Sequence, residues 1–227
     1  MLKKYHGIIP PIITPVDARE NVDESGYRQL LEYCVQGGLH GILVAGTNGE
    51  TMALTQKERT RAIRITLEQI NGRIPVMAGC MDTSTRRVIE NIKAAQDVGL
   101  TCAAVTSVFY DRHTSQDETV RHFERILQET DIPELIIYNI PPAYNAARSG
   151  DIALTWKYDA LLRESSKILG MTKNGTAAAK YAISLRGFTD KRVMWPQDFT
   201  SPEEEANIAK KVKEVDELYA DFKKSLQ

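Results

Sequence analysis

Hydrophobic residues in this chain follow two alternating patterns: short runs dense in β-branched and apolar residues, and longer stretches where apolar positions recur three and four residues apart. The first pattern predicts buried strands over Gly7–Val16, His40–Gly46, Ile74–Gly79, Cys102–Phe109, Glu134–Pro141 and Lys167–Thr172. Their first residues lie 33, 34, 28, 32 and 33 positions apart. One strand plus one crossover helix needs about thirty residues, so the spacing predicts successive βα units in a parallel sheet.

The gaps carry helix punctuation. Thr55-Gln56-Lys57-Glu58 and Ser115-Gln116-Asp117-Glu118 fit the capping box, in which a hydroxyl and a Glu carboxylate reciprocally satisfy free amides at a helix start. Ala62, Ile63, Leu67 and Ile70 follow the first box, and Val120, Phe123, Ile126 and Leu127 the second, each set expected to pack one face on the sheet. Gly37-Gly38, Gly72 and Gly99 stand where these helices should stop. Beyond Thr172 no strand pattern recurs. A short helix is expected over Ala177–Arg186, and Ser201-Pro202-Glu203-Glu204 opens a long one with an apolar stripe at Ile208, Val212, Val215, Tyr219, Phe222 and Leu226.

Right-handed crossovers between such units give an open doubly wound sheet or a barrel. An eight-stranded barrel takes about 250 residues, so a chain of 227 is short for one. The pattern predicts an incomplete TIM-barrel-type (β/α) parallel barrel with about six βα units over residues 1–175, followed by a helical segment over 176–227.

Composition narrows the partners. With 29 Lys plus Arg against 30 Asp plus Glu, the formal charge is -1, and no global basic field attracts nucleic acid or anionic lipid. A small molecule is the expected partner. No apolar run is long enough for a signal peptide or a bilayer span, which makes a cytoplasmic protein the expectation. Cys34, Cys80 and Cys102 lack ligand spacing and are expected as reduced core residues. His113 and His122 are too far apart for a helical metal pair, so neither metal nor cofactor is expected. Tyr144, Trp156 and Trp195 are expected to pack in the interior.

Two strand ends carry candidate chemistry. Gly46-Thr47-Asn48-Gly49-Glu50 follows the second predicted strand and reads either as a tight βα turn or as a loop whose free amides bind an anionic group. The fifth strand ends Tyr138-Asn139-Ile140-Pro141, where the tyrosine is either a core aromatic or a site residue.

Together these segments resemble the dihydrodipicolinate synthase and N-acetylneuraminate lyase family of pyruvate-dependent lyases. Members carry a Gly-Thr/Ser-Thr-Gly-Glu loop after strand two, Ala-Gly ending strand three, tyrosines after strand four, Tyr-Asn-x-Pro ending strand five and Gly-x-Lys in strand six. This chain is similar at Gly46–Glu50, at Ala78-Gly79, at Tyr110 within Val108-Phe109-Tyr110, and at Tyr138–Pro141, while Ile168-Leu169-Gly170-Met171 begins the last motif. The likeness resumes near Thr176 with segments similar to the family's final helices.

The resemblance implies class I aldolase chemistry: a lysine amine attacks the ketone of pyruvate or another 2-keto acid and forms a Schiff base. Tyr138 would shuttle protons, with Tyr110 in the relay, and Gly46, Thr47, Asn48 and Gly49 would hold the carboxylate. A homo-oligomer, dimer or tetramer, is also implied. The lysine itself is out of place. Thr172 stands where the family has lysine, and Lys173 follows one position later, which in a strand points to the opposite face. The chain leaves the family pattern at Lys173–Thr176 and rejoins it near its end, as an internal deletion or an omitted segment would leave it. Ala143 replaces an arginine usual in dihydrodipicolinate synthases, and Asn48 a commoner threonine, which favours sugar-acid aldolase or dehydratase relatives. Three readings follow: a 2-keto-acid lyase, a catalytically silent oligomeric scaffold, and an unrelated doubly wound binding domain, the last without any GxGxxG or P-loop.

Overall fold

A computed structural model describes residues 5–109, 115–138, 164–195, 197 and 199–224. Two compact units divide at Asn139/Ile140, earlier than the boundary after residue 175 suggested by sequence.

In the N-terminal unit, helices α1 (Glu24–Gln36), α2 (Gln56–Ile70), α3 (Thr85–Gln96) and α4 (Gln116–Glu129) alternate with strands β1 (Ile42–Val44), β2 (Val76–Gly79), β3 (Cys102–Val105) and β4 (Glu134–Ile137). The strands form one parallel sheet in the order β1-β2-β3-β4, with Ile42 beside Val76, Ala78 beside Ala103 and Cys102 beside Glu134. A doubly wound sheet reverses its strand order at a switch point. Here each strand adds on the same side of the last, which is how a barrel wall grows.

The first predicted strand shrinks to a single parallel bridge between Pro11 and Leu43. Pro10, Pro11 and Pro15 have no amide hydrogen and cannot donate to a ladder. The segment still occupies the strand's place, because Leu43 donates to Pro10 and Ile12 donates back to Leu43, both at 3.1 Å.

Period-two alternation sorts the wall into two faces. Leu43, Met77, Cys102 and Ala104 pack as one buried cluster, with Tyr5, Ile9, Ile136 and Tyr138 against it. The neighbouring positions Ile42, Val44, Ala78, Ala103 and Val105 are fully buried on the opposite face, where α2 packs on β1 and β2. Each large aliphatic side chain removed from water contributes about 1.5–3 kcal/mol. At β4 the covering thins: Ile137 is 59% exposed, as are Val120 at 51% and Leu127 at 58% on α4. The expected apolar face of α4 is therefore split. Ile126 is fully buried, whereas Val120 and Leu127, seven residues apart, share a different stripe left open.

The caps form with one change of partner. Ser115 and Glu118 make the complete reciprocal box on α4. At α2 only half of the box forms: Thr55 accepts from the Glu58 amide at 3.2 Å, but the Glu58 carboxylate accepts from the Val22 amide at 2.7 Å. Glu58 is 5% exposed and is better satisfied across the fold than at its own helix start.

The C-terminal unit contains a 3₁₀ turn (Lys167–Gly170), α5 (Gly175–Ser184) and α6 (Pro202–Lys224). The sixth predicted strand is thus a helical turn packed on α5. Asn174 caps α5 through its side chain, accepting from the amides of Thr176 and Ala177, and the Thr172 hydroxyl donates to the Asn174 carbonyl. A segment committed to starting a helix cannot also run extended. Along α6, Ser201 and Glu204 form the predicted box, Ile208 is fully buried and Tyr219 is 44% exposed. Trp195, expected in the interior, is 80% exposed.

Candidate functional site

The loop after β1 is shaped by its carbonyls. The Gly46 oxygen accepts from the Thr51 amide at 3.3 Å, the Thr47 oxygen from the Glu50 amide at 3.0 Å, and the Gly49 oxygen from the Thr14 hydroxyl at 3.0 Å. Glu50 and Thr51 continue inward, where the Glu50 oxygen accepts from Ala53 and Leu54 and the Thr51 oxygen from the Arg59 guanidinium at 2.8 Å. Among the described residues, no hydrogen bond uses the amides of Thr47, Asn48 or Gly49 as donors. In a trans peptide the N–H points opposite to the C=O of the same unit. The tied Gly46 and Thr47 carbonyls therefore turn the Thr47 and Asn48 amides outward, and with the Gly49 amide, which donates in no hydrogen bond of the described residues, they are three consecutive donors to be met by water or by an anion.

Backbone strain marks the same place. Ala45 and Glu50, which bracket the loop, have φ of 52° and 54°, a left-handed conformation costing about 1–2 kcal/mol for a residue with a side chain. Ala45 is fully buried, and a Cβ at position 79 would stand 2.1 Å from its carbonyl oxygen, so only glycine ends β2 here. Gly49 is tightly but less severely confined: a Cβ would lie 3.1 Å from the Thr14 hydroxyl and 3.2 Å from Ala45. Thr47 is exposed and Asn48 half-buried, its side-chain amide 3.5 Å from the Pro11 carbonyl.

Tyr138 follows β4 immediately, held by its amide to the Val105 carbonyl at 2.7 Å. It continues the inward register of Glu134 and Ile136 and packs half-buried against the interior cluster. Because the strands are parallel, the Gly46–Gly49 loop and Tyr138 stand at the same, C-terminal end of the wall, the end at which barrel enzymes carry their chemistry. Tyr110, Asn139–Pro142, Ala143, His113, Tyr144 and Trp156 lie outside the described residues. Lys173 belongs to the C-terminal unit, in the bend between the 3₁₀ turn and α5, and is exposed. It lines an open cleft of about 860 Å³ with Thr172, Asn174, Gln197, Thr200 and Glu204.

Three further buried polar residues shape this end of the wall. Thr14 is fully buried, and its signal was a lone hydroxyl inside the apolar run Ile12-Ile13-Thr14-Pro15. Asp82 precedes α3 without capping it, since Ser84 accepts from the Arg87 amide. Asp82 is 5% exposed, and burial works to raise its pKa. Hydrogen bonds from the Thr83 amide and Asn91, with the charges of Arg87 and Arg59, outweigh that and hold it below the ordinary carboxylate value. His122, 2% exposed, spans from the Thr85 hydroxyl at 2.9 Å to the Thr106 carbonyl at 3.2 Å. A carbonyl only accepts, so Nε2 carries a proton toward Thr106.

All three cysteines are free and buried, with Cys34 pushed up to about 11 and Cys80 to about 12 by burial, so neither offers a thiolate nucleophile at neutral pH. Among the described residues no group of three or more metal-ligating side chains occurs, and no helix is long and apolar enough to cross a membrane.

Known proteins extend this picture. The model of the dihydrodipicolinate synthetase family matches residues 4–196. A 4-hydroxy-tetrahydrodipicolinate synthase from Syntrophobacter fumaroxidans is 34% identical over 186 residues, covering 82% of this chain and 58% of that protein. A protein of the same name from Polynucleobacter asymbioticus is 37% identical over 149 residues, covering 66% and 48%. The chain spans about half the length of the curated relatives it matches. Among solved structures, YagE, a prophage protein of the dihydrodipicolinic acid synthase family from E. coli K12 in complex with pyruvate, superposes with a TM-score of 0.83 at 18% identity, covering 93% of this chain and 99% of that one. Dihydrodipicolinate synthase from Bacteroides thetaiotaomicron gives 0.81 at 21%, covering 92% and 98%. These likenesses establish a TIM-barrel-type fold, of which the described strands form part of the wall, and with the family match they place this chain in the dihydrodipicolinate synthetase family of lyases.

Proposed function

We propose that this chain binds a pyruvate-type 2-keto acid at the C-terminal end of its barrel wall and acts on it as a lyase. The observation that carries this reading is the run of three amides without hydrogen-bond partners among the described residues, on a loop whose Gly46, Thr47 and Gly49 carbonyls are tied inward, at the same end of the wall as Tyr138. A carboxylate supplies two acceptor oxygens for those donors. The keto group would then extend toward the wall interior, where the Tyr138 hydroxyl is the proton donor and acceptor. Schiff-base formation joins a lysine nitrogen to the keto carbon and releases the ketone oxygen as water; Lys173, at the position next to the family's lysine, is the candidate amine by sequence. The curated relatives are named 4-hydroxy-tetrahydrodipicolinate synthase, which weighs against the preference for sugar-acid substrates drawn from Ala143 and Asn48.

A second reading, a silent barrel that binds the acid or associates with a copy of itself, is favoured by Lys173. Class I chemistry needs a neutral amine, which enclosed pockets favour, and Lys173 stands exposed outside any strand. The exposed apolar side chains Val120 and Leu127 on α4 and Ile137 on β4 support association. Incubation with pyruvate and borohydride, followed by intact mass and peptide mapping, separates the two. The lyase reading expects one pyruvate-derived adduct at Lys173. Pyruvate binding with no adduct at any lysine establishes the silent reading, and no binding at all overturns both uses of the loop.

A further inference from the structure

Thr14 contacts neither the free amides nor Tyr138 in any hydrogen bond of the described residues, yet it is connected to the amides through the backbone. Its side chain is fully buried, and the hydroxyl donates to the Gly49 carbonyl across 35 positions of sequence at 3.0 Å. That carbonyl belongs to the Gly49–Glu50 peptide, whose N–H donates to the Thr47 carbonyl at 3.0 Å. The Thr47 carbonyl in turn belongs to the Thr47–Asn48 peptide, whose N–H is one of the three unspent donors. Each peptide unit is planar with its N–H and C=O opposed, so fixing one end of a unit aims the other. Two rigid planes and two hydrogen bonds thus connect the Thr14 hydroxyl to the direction of the Asn48 amide. The tightness of the join supports this: a Cβ at residue 49 would crowd the Thr14 hydroxyl at 3.1 Å, and Glu50 is held at a φ of 54°.

We infer that Thr14 is a positioning residue for the anion loop, holding the Asn48 amide toward the carboxylate of the 2-keto acid. The inference rests on the assignment of that loop as the carboxylate site. Valine has nearly the same shape as threonine and no hydroxyl, whereas serine keeps the hydroxyl and loses a methyl group. Thr14→Val leaves the Gly49 carbonyl without its donor, and the Gly49–Glu50 plane is then held only through its N–H to Thr47.

Pyruvate affinity is to be measured by titration calorimetry on the full chain, well below the unfolding temperature of every variant, with ¹⁵N amide spectra recorded in parallel. Thr14→Val is expected to weaken pyruvate binding about tenfold and to displace the Asn48 amide resonance in the unliganded protein, while Thr14→Ser stays within about twofold of the parent. A Thr14→Val protein that binds within twofold of the parent overturns the inference, as does one whose affinity loss is shared equally by Thr14→Ser. Should the parent bind no pyruvate, the assignment of the loop has failed, and the spectra decide the positioning role alone. An Asn48 resonance displaced in Thr14→Val and restored in Thr14→Ser upholds it, and one unmoved in both refutes it. Should Thr14→Val not fold, Thr14→Ala against Thr14→Ser carries the same comparison.

Discussion

The N-terminal unit and the C-terminal segment start their helices with the same grammar, and they differ in what holds those helices in place. In the N-terminal unit, buried hydrogen bonds join distant parts of the chain: Thr14 to Gly49, Val22 to Glu58 and Thr66 to Tyr27. Around them Tyr27, Leu31, Ile42, Ile63, Ile65 and Ile92 are almost wholly removed from water. In the C-terminal segment, Ile208 is the large apolar residue buried to that degree among the described residues, and the distant links are ion pairs nearer the surface, Lys211–Glu164, Lys191–Glu205 and Arg186–Asp216. Exposed pairs contribute about 0–1 kcal/mol each, whereas a buried aliphatic side chain contributes about 1.5–3. A backbone with positive φ at Ala45 and Glu50 persists only where surrounding contacts over-determine it. The anion loop stands in such surroundings, whereas Lys173 is an exposed residue in a bend of the C-terminal unit.

The largest blow to this contrast falls at the end of β2. Gly79→Ala places a methyl group on the Ala45 carbonyl, and neither backbone has a flexible end to yield. A loss of about 3 kcal/mol is expected, read as a lowered urea midpoint, together with loss of pyruvate binding as the loop shifts. Unchanged stability would show that Ala45 is not held as described.

Next in size is a paired test of the two cores. Ile63→Ala, at a 1% exposed position in α2, is expected to cost about 3 kcal/mol. Leu218→Ala, at a 46% exposed position in α6, should cost less than about 0.5 kcal/mol. Equal losses in urea unfolding would erase the distinction between the units.

The smallest effect is expected with pH, and it acts on both units. Hydrogen bonds from Arg73, then Gln69, hold Glu32 down at about 2; those from Lys167, then Lys211, hold Glu164 at about 2. A depressed folded value means that the unfolded chain takes up protons first. Stability from these pairs is present above about 4.5 and is lost as pH falls through the interval down to about 2. Both carboxylates are partly exposed, so added salt should blunt the loss. Arg73→Gln should flatten the acid limb of a urea-midpoint profile, and an unaltered limb would remove Glu32 from the account.

The chain's own residues were sufficient for several features. The spacing of apolar runs specified βα units, Ser115/Glu118 and Ser201/Glu204 specified helix starts, and the glycines around Thr47 and Asn48 specified a tight loop at a strand end. These features are local, because a cap or a turn is satisfied within a few residues. Tyr138 on the inward face also followed from sequence, since alternation needs only the strand itself.

What required the tertiary structure was the choice among partners. Glu58 could cap its own helix or the Val22 amide, and the fold brings Val22 within reach. Pro10 and Pro11 leave the first segment a bridge, which only the neighbouring β1 holds in place. The run at Lys167–Thr172 reads as a strand until Asn174 and Thr172 turn it into the entrance of α5. Strand formation depends on a neighbour to pair with, and hydrogen bonds between residues 35 positions apart, such as Thr14 to Gly49, leave no periodic trace in the sequence.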